Sequence, residues 1–354
     1  AAGKDASAYV LTEAGKRCAS EIGNTVDGVI ASFDKEILSV KYRYTTLFPG
    51  FSCRIKYKDL AKLEKADAVR NVMISERYNP AETATDNALN AYGTGIYNSS
   101  GTGLTGKGII VSVLDTGLDY THSAFRRLPD CAPALTADTV EELFPLLAAS
   151  SLNGEGRWQS TYHSTKVPYT FDYADKDSDV YPVNDHGTHV AGIIAGKDDV
   201  ITGVAIDAQL VIMKVFGNED QGAEQEDILA GLSDSVLLGV DVINMSLGSS
   251  CGFSRAADDE GINEIYDSVR EAGINLIVAA SNSASSAKGS ENGDTNLVSN
   301  PDSATIGSPA TYPSSVSVAS VTGAKTNYLH ANGEQPIYLT KAKRNNGDEI
   351  EFYE

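Results

Sequence analysis

The chain of 354 residues carries 28 Lys and Arg against 48 Asp and Glu, a formal net charge of −20, and is 42% hydrophobic and 21% charged. That balance supports a sizeable core and excludes wholesale disorder, while the acidic excess, uninterrupted by any cluster of Lys and Arg, disfavours nucleic acid and anionic lipid surfaces as partners. There is no apolar run of eighteen residues and no basic-then-apolar N-terminus, so neither a membrane span nor a retained secretory signal is expected; the opening AAGKDASAY is compatible with a mature end left after signal removal.

The first eighty residues read as a small α+β unit. ILSVKYRYTTLFPGFSCRIKY (37–57) has the pattern of two strands around a Pro-Gly turn, KDLAKLEKAD (58–67) that of a short charged helix, and AVRNVMISERY (68–78) that of a third strand. Residues 80–107, with SSGTGLTGKG near their end, have the composition of an exposed connection. We therefore divide the chain into a unit over 1–79, a linker over 80–107, a main domain over 108–321 and the start of a further segment over 322–354.

From residue 108 short apolar, β-branched runs alternate with helical stretches. GIIVSVLDTG (108–117), AQLVIMKVFG (208–217), VDVINMSLGS (240–249), INLIVAASN (274–282) and SVSVASV (315–321) read as buried strands, apolar on both faces. EQEDILAGLSDSVLLG (224–239) and DEGINEIYDSVREAG (259–273) carry apolar residues at helical spacing and end in glycine. The expected fold is α/β, a mostly parallel sheet with helices on both faces, joined by right-handed crossovers. In such sheets ligands bind beyond the carboxyl ends of the strands. Asp115, Asn244, Ser246 and Asn282 fall at or near those ends.

The segment VNDHGTHVAG (183–192) adds His186 and His189, three residues apart. As a zinc site it lacks the intervening Glu and an evident third ligand. Gly192, Ala195 and Gly196 suit close helix packing, and His189 alone reads as structural. His186 gains meaning from Asp115 and Asn282, because a hydroxyl nucleophile needs an imidazole base, a carboxylate to fix its tautomer and a donor for the developing oxyanion. An elbow-type α/β hydrolase is disfavoured, since the acid precedes the base and no G-x-S-x-G occurs. Cys18, Cys53, Cys131 and Cys251 form no C-x-x-C pair, which leaves neither a zinc knuckle nor a redox motif and fixes neither the compartment nor the disulfide state.

The segments VSVLDTGLDYTH, DHGTHVAGIIAG, NMSLGSS and IVAASN occur in that order over roughly 170 residues and resemble the signature segments of the subtilisin-like serine peptidases, the subtilases. The resemblance implies that Asp115 orients the imidazole, that His186 is the general base and later the general acid, and that Asn282 donates to the oxyanion. It assigns Ser246, Leu247 and Gly248 to the strand edge that pairs with an extended peptide. His186 follows Asp115 by 71 positions, leaving room for an insert that includes TADTVEELFPLLAAS and KVPYTFDYADKDSDVYP. These stretches, with NPDSATIGSPATYPSSVSVASV, are similar to the lactocepin-type cell-envelope proteinases and the streptococcal complement-cleaving peptidase. The N-terminal unit resembles the subtilase propeptide, which implies a chaperone and inhibitor removed on maturation, with a cut expected between Tyr78 and Gly106.

The sequence also departs from the family. No GTSMAAP-like nucleophile segment occurs between Asn282 and Glu354, and no serine in that interval, including those of SPATYPSSVSV, is assigned the role. YLTKAKRNNGDEIEFYE resembles the start of the protease-associated domain that the lactocepin branch inserts before its nucleophile. Ser281 stands where Gly usually precedes the oxyanion Asn, and Ala124 stands at the acidic position of the usual calcium site, whose loop KDDVIT is short. No metal or other cofactor is expected at that site, although the oxygen-rich DYADKDSD (172–179) has ligands enough for an unrelated calcium ion. The expected function is a secreted or surface-attached serine endopeptidase cleaving protein or peptide substrates, with the 354-residue chain inactive by itself; the alternative is a pseudoprotease or peptide-binding module.

Overall fold

The computed structural model describes residues 8–80, 103–151, 158–219, 222–249, 261–280 and 306–319, together with the backbone of four short strands between residues 328 and 352. The N-terminal unit opens with helix α1 (Glu13–Ser32), started by Thr12, whose Oγ1 accepts from the Gly15 N–H at 3.1 Å. The expected hairpin forms, with β1 (Ile37–Tyr44) antiparallel to β2 (Gly50–Ile55), followed by the short helix α2 (Leu60–Glu64). The third strand differs from expectation. Only Arg77–Pro80 (β3) is extended, and it joins no N-terminal sheet.

The main domain is built on β4 (Ile110–Asp115), a short helix α3 (Ala137–Leu143), β5 (Tyr169–Asp172), α4 (His186–Ala195), β6 (Gln209–Lys214), β7 (Ala223–Glu224), α5 (Gln225–Leu237), β8 (Val242–Met245), β9 (Leu247–Gly248), α6 (Ile262–Glu271), β10 (Asn275–Ala279) and β11 (Ser315–Val318). Six of these strands form one sheet in the order β11-β10-β8-β4-β6-β5, every neighbouring pair parallel. β4 and β6 are buried along their whole length because both faces are covered. Ile110 and Leu114 point into a core shared with α5 and α6. Val111 and Val113 point into the opposite one, shared with α4. From β4 the chain builds outward to β5 and β6 on one side and to β8, β10 and β11 on the other. The crevice at this reversal opens beyond the carboxyl end of β4.

β11 is exposed rather than buried, with Val316 51% and Val318 49% accessible, because it ends the sheet as an edge strand. β5 arises within the stretch read as an insert and pairs with β6, ending in Asp172 opposite Lys214. In residues 322–354 two antiparallel hairpins are described: β12 (Tyr328–Ala331) with β13 (Gln335–Tyr338), and β14 (Ala342–Asn345) with β15 (Glu349–Phe352). Among the described residues no helix is long and apolar enough to cross a membrane. The described cysteines Cys18, Cys53 and Cys131 are free thiols, and Cys251 lies outside the described residues.

Lys214 and Asp172, at the carboxyl ends of β6 and β5, are both buried and form an ion pair, with Asp175 Oδ2 3.3 Å from the same ammonium. Burial pushes the Asp172 carboxyl up to about 6 against the opposing pull of Lys214. Breaking such a pair from one side strands a charge, so Lys214→Met should cost about 3–5 kcal/mol in chemical denaturation, and adding Asp172→Leu should restore most of it. Equal losses in the single and double variants would show that the pair is not what holds these strand ends.

Candidate active site

Asp115 is the last residue of β4 and is 1% exposed, its main-chain oxygen accepting from the Val215 N–H at 3.0 Å. Its Oδ1 accepts from the Thr116 N–H at 2.7 Å and lies 2.7 Å from His186 Nδ1. Facing a buried carboxylate, Nδ1 is the ring nitrogen that carries hydrogen, which leaves Nε2 as the basic one.

The meeting is set by the start of α4, whose first N–H groups have no partners within the helix. The His186 N–H donates to Asn184 Oδ1 at 3.0 Å and the Gly187 N–H to Thr116 Oγ1 at 2.8 Å, while the Thr116 hydroxyl donates to the Asn184 carbonyl at 2.8 Å. Thr188 Oγ1 accepts from the Asp119 N–H at 2.8 Å. The DTG turn and the NDHGT turn thus cap each other. Gly187 makes this approach possible, and Gly117 allows the neighbouring approach of the Val180 backbone. A Cβ on Gly187 would sit 2.3 Å from the Gly117 oxygen, and one on Gly117, at φ +113°, would sit 2.3 Å from the Val180 oxygen.

His189 continues one turn along α4. Its partial burial and the neighbouring His186 both hold its imidazole below the usual range, against the pull of Asp185. Among the described residues no group of three or more His, Cys, Asp or Glu side chains is arranged to hold a metal ion. The loop around Ala124 and Asp198 is closed by its own hydrogen bonds. The Ala124 methyl is buried there, its carbonyl accepts from the Lys197 N–H at 2.7 Å, and Asp198 spends one oxygen on Ser123 Oγ at 2.6 Å and the other on the Val200 and Ile201 N–H groups at 2.8 Å each. The Ser123 hydroxyl, then the two N–H groups, lower the Asp198 carboxyl to about 2.

β3 fills the groove between β7 and β9 as the middle strand of a three-stranded antiparallel sheet, and β9 directly follows β8, the neighbour of β4. Arg77 pairs with Glu224 and Tyr78 with Ala223 on one side; Asn79 pairs with Gly248 and Pro80 with Leu247 on the other. Upstream, the Gln225 N–H donates to the Glu76 carbonyl at 2.8 Å and the Glu76 N–H to Gln225 Oε1 at 3.1 Å. Tyr78 is fully buried, with Tyr266 and Tyr312 near enough to join burial in raising its hydroxyl well above the ordinary range. Leu247 and Gly248 therefore form a wall of the groove, and Ser246, just before them, accepts from Asn244 Nδ2 at 3.1 Å. Asn282 and Ser281 lie outside the described residues, after β10 ends at Ala279.

Thr116, Asn184 and Lys214 escaped the sequence reading. For the first two the trace was a hydroxyl or amide beside each motif, suited to capping a helix start; for Lys214 it was a charge closing an otherwise apolar strand, LVIMK.

Residues 106–346 match the model of a family described as the Subtilase family. The chain is 32% identical over 288 residues to the PIII-type proteinase of Lactococcus lactis subsp. cremoris strain SK11, an alignment covering 78% of this chain and 14% of that protein. It is 30% identical over 224 residues to the C5a peptidase of Streptococcus pyogenes serotype M3, covering 61% of this chain and 18% of that one. The chain thus spans under a fifth of the length of these relatives. Among solved structures it is similar to the epidermin leader peptide processing serine protease of Staphylococcus aureus, with a TM-score of 0.49 and 14% identity over 74% of this chain and 58% of the other.

Gly187→Ala should push α4 away from the Gly117 carbonyl and cost about 1–3 kcal/mol. The far-downfield proton resonance expected of an imidazole N–H held by a carboxylate should disappear from the spectrum, as it should in His186→Gln. Its survival in Gly187→Ala would mean that the close approach is not needed to join Asp115 and His186.

Proposed function

The chain belongs to the subtilase family, and from that membership we propose that it carries the acid, the base and the oxyanion donor of a secreted or surface-attached serine endopeptidase that cleaves extended protein segments. The observation carrying this reading is the 2.7 Å contact between Asp115 Oδ1 and His186 Nδ1 at the end of a central parallel strand, beside a groove of strand-pairing backbone.

In the proposed reaction Asp115 keeps the imidazole in the Nδ1–H tautomer, so that Nε2 takes the proton of a serine hydroxyl as its oxygen attacks the scissile carbonyl. The Asn282 side-chain amide donates to the oxygen that gains charge. His186 then gives the proton to the departing amine, leaving an acyl-enzyme, and water enters by the same base to release the acid. Leu247 and Gly248, with Ser246 before them, align the substrate by main-chain hydrogen bonds. The serine itself is assigned to no residue of this chain, which spans 14% of the lactococcal relative. Secretion or surface attachment rests on the resemblance to cell-envelope proteinases. At the usual calcium position the reading uses no ion, the Ser123–Asp198 bond closing that loop.

The N-terminal unit is, on this reading, the enzyme's own inhibitory propeptide. β3 lies where an extended substrate is expected, pairing with both walls, and Tyr78 is its buried anchor. Processing between Tyr78 and Gly106 would leave the groove free for substrate.

The test is labelling of the natively produced protein and of the 354-residue chain with a fluorophosphonate probe, read by intact mass. An adduct on the native protein alone is expected. In that protein His186→Ala should lower turnover by about a millionfold, and Asn282→Ala by about a hundred- to thousandfold. Absence of an adduct on both would favour a peptide-binding module without a nucleophile, and an adduct on the short chain would locate the serine within it.

A further inference from the structure

The N-terminal unit touches the main domain at a second place, which adjoins the groove through Glu224 of β7. There Lys41 and Tyr42 of β1 meet the first turn of α5. The Lys41 ammonium lies 2.8 Å from Glu224 Oε2, 2.9 Å from Asp227 Oδ1 and 3.8 Å from Glu226 Oε1, so one cation faces three carboxylates. Arg77 of β3 reaches Glu224 only at 3.6 Å. A cavity of about 450 Å³ adjoins the cluster, where Asp175 adds a further acid and Arg54 of β2 and Lys176 add cations.

Tyr42 is fully buried, and its hydroxyl oxygen lies 2.7 Å from the Tyr173 carbonyl oxygen and 2.6 Å from Asp227 Oδ1. Burial first, and then Asp227, push this phenol well above its ordinary range, so it keeps its hydrogen. A phenol has one hydrogen to give and here faces two acceptors. With Asp227 ionised, one of the two short contacts has no hydrogen and sets lone pairs against each other in a buried site. With Asp227 protonated both are satisfied, the carboxyl O–H donating to the Tyr42 oxygen and the Tyr42 O–H to the Tyr173 carbonyl.

Burial, rather than the surrounding charge, favours the same outcome. Glu224 and Glu226 are enough to balance Lys41, and hydrogen bonding from Lys41 holds the Glu224 carboxyl below its usual range. Asp227 is only 2% exposed, and its burial outweighs the pull of Lys41 to raise the carboxyl to about 6. Tyr44, also on β1, keeps its hydroxyl on the Glu226 carbonyl at 3.0 Å and adds no charge. Two turns along α5, Asp234 lies apart from Lys41 and takes its hydrogen bonds from the Ala148 and Ala149 N–H groups and from the Tyr173 hydroxyl.

We propose that docking of the N-terminal unit on the first turn of α5 takes up one proton, held between Asp227 and Tyr42, so that the unit is bound more tightly in mildly acidic than in neutral solution. The sign follows from linkage. The docked carboxyl titrates above its undocked value, so the added stability is present at low pH and is lost as the pH rises through the docked value of about 6. This inference concerns docking alone and does not depend on the peptidase chemistry.

The test is backbone hydrogen exchange of the Ile37–Ile55 hairpin in the intact 354-residue chain at pH 5.5 and 7.5, corrected for the intrinsic pH dependence of exchange. With an undocked carboxyl near the ordinary value of about 4, protection should fall about fourfold over that interval. Asp227→Asn places an uncharged amide donor against the Tyr42 oxygen while its carbonyl still accepts from Lys41. It should hold the pH 5.5 level at both pH values. A wild-type profile that is flat or rises with pH would overturn the proposal, as would loss of protection at both pH values in Asp227→Asn, which would make the ionised Lys41–Asp227 pair the true tether. A drop that survives in Asp227→Asn would assign the proton to another group, such as Asp172 or Asp234, and equally overturn it.

Discussion

The architecture of the site depends on how closely the amino end of α4 can approach the carboxyl end of β4. Neither Asp115 nor His186 has an unusual side-chain reach. What joins them is backbone contact at van der Waals distance, permitted because position 187 has no Cβ, and stabilised because Thr116 and Asn184 cap the helix that begins with the histidine. The same threonine N–H that helps complete the turn also donates to the carboxylate. The turn that ends the strand, the cap that starts the helix and the acid–base pair are therefore one structure. A side chain at position 187 forces all three apart.

Placement of that structure follows from the sheet. β4 is central, flanked by β6 and β8, and the chain leaves it in both directions. Such a strand end opens into a crevice rather than against a crossover helix. The adjacent strand ends are polar in a consistent way, since Lys214 and Asp172 close β6 and β5 as a buried pair and Asn244 and Ser246 follow along β8. Apolar strands thus terminate in groups that need partners, and those partners are found across the ends of neighbouring strands.

This pattern decides what could be read from the sequence alone. Of the five strands, β4 and β6 were legible because burial on both faces leaves uninterrupted apolar runs, β8, β10 and β11 because β-branched residues recur along them, and the two central helices because glycines end them. Asp115 and His186 were legible because strand ends and a small-residue helix start are local features. β3 was not. Propensity favoured the apolar VMIS stretch, but the strand forms at Arg77–Pro80 because its two partners, near residues 223 and 248, lie far along the chain. Helix α1 escaped because Gly15, Gly23 and Gly28 dilute its pattern. β11 was misjudged in exposure, since position in the sheet and not composition determines whether a strand has neighbours on both sides.

The acidic character of the chain gains a specific meaning at the amino end of α5. Carboxylates there suit the helix dipole, yet placing Glu224, Glu226 and Asp227 within one turn creates more negative charge than Lys41 can balance at close range. Glu224 belongs to both contacts of the N-terminal unit, because its backbone pairs with Arg77 in β7 while its side chain holds Lys41. The two anchors are therefore coupled through a single residue. Movement of β1 off α5 withdraws Lys41 from the strand that walls the groove, and loss of β3 from the groove removes the strand that keeps Glu224 in register. Strand pairing is indifferent to pH, whereas the carboxylate cluster is not. A unit held in both ways can be loosened at its charged end while its extended segment is still in place.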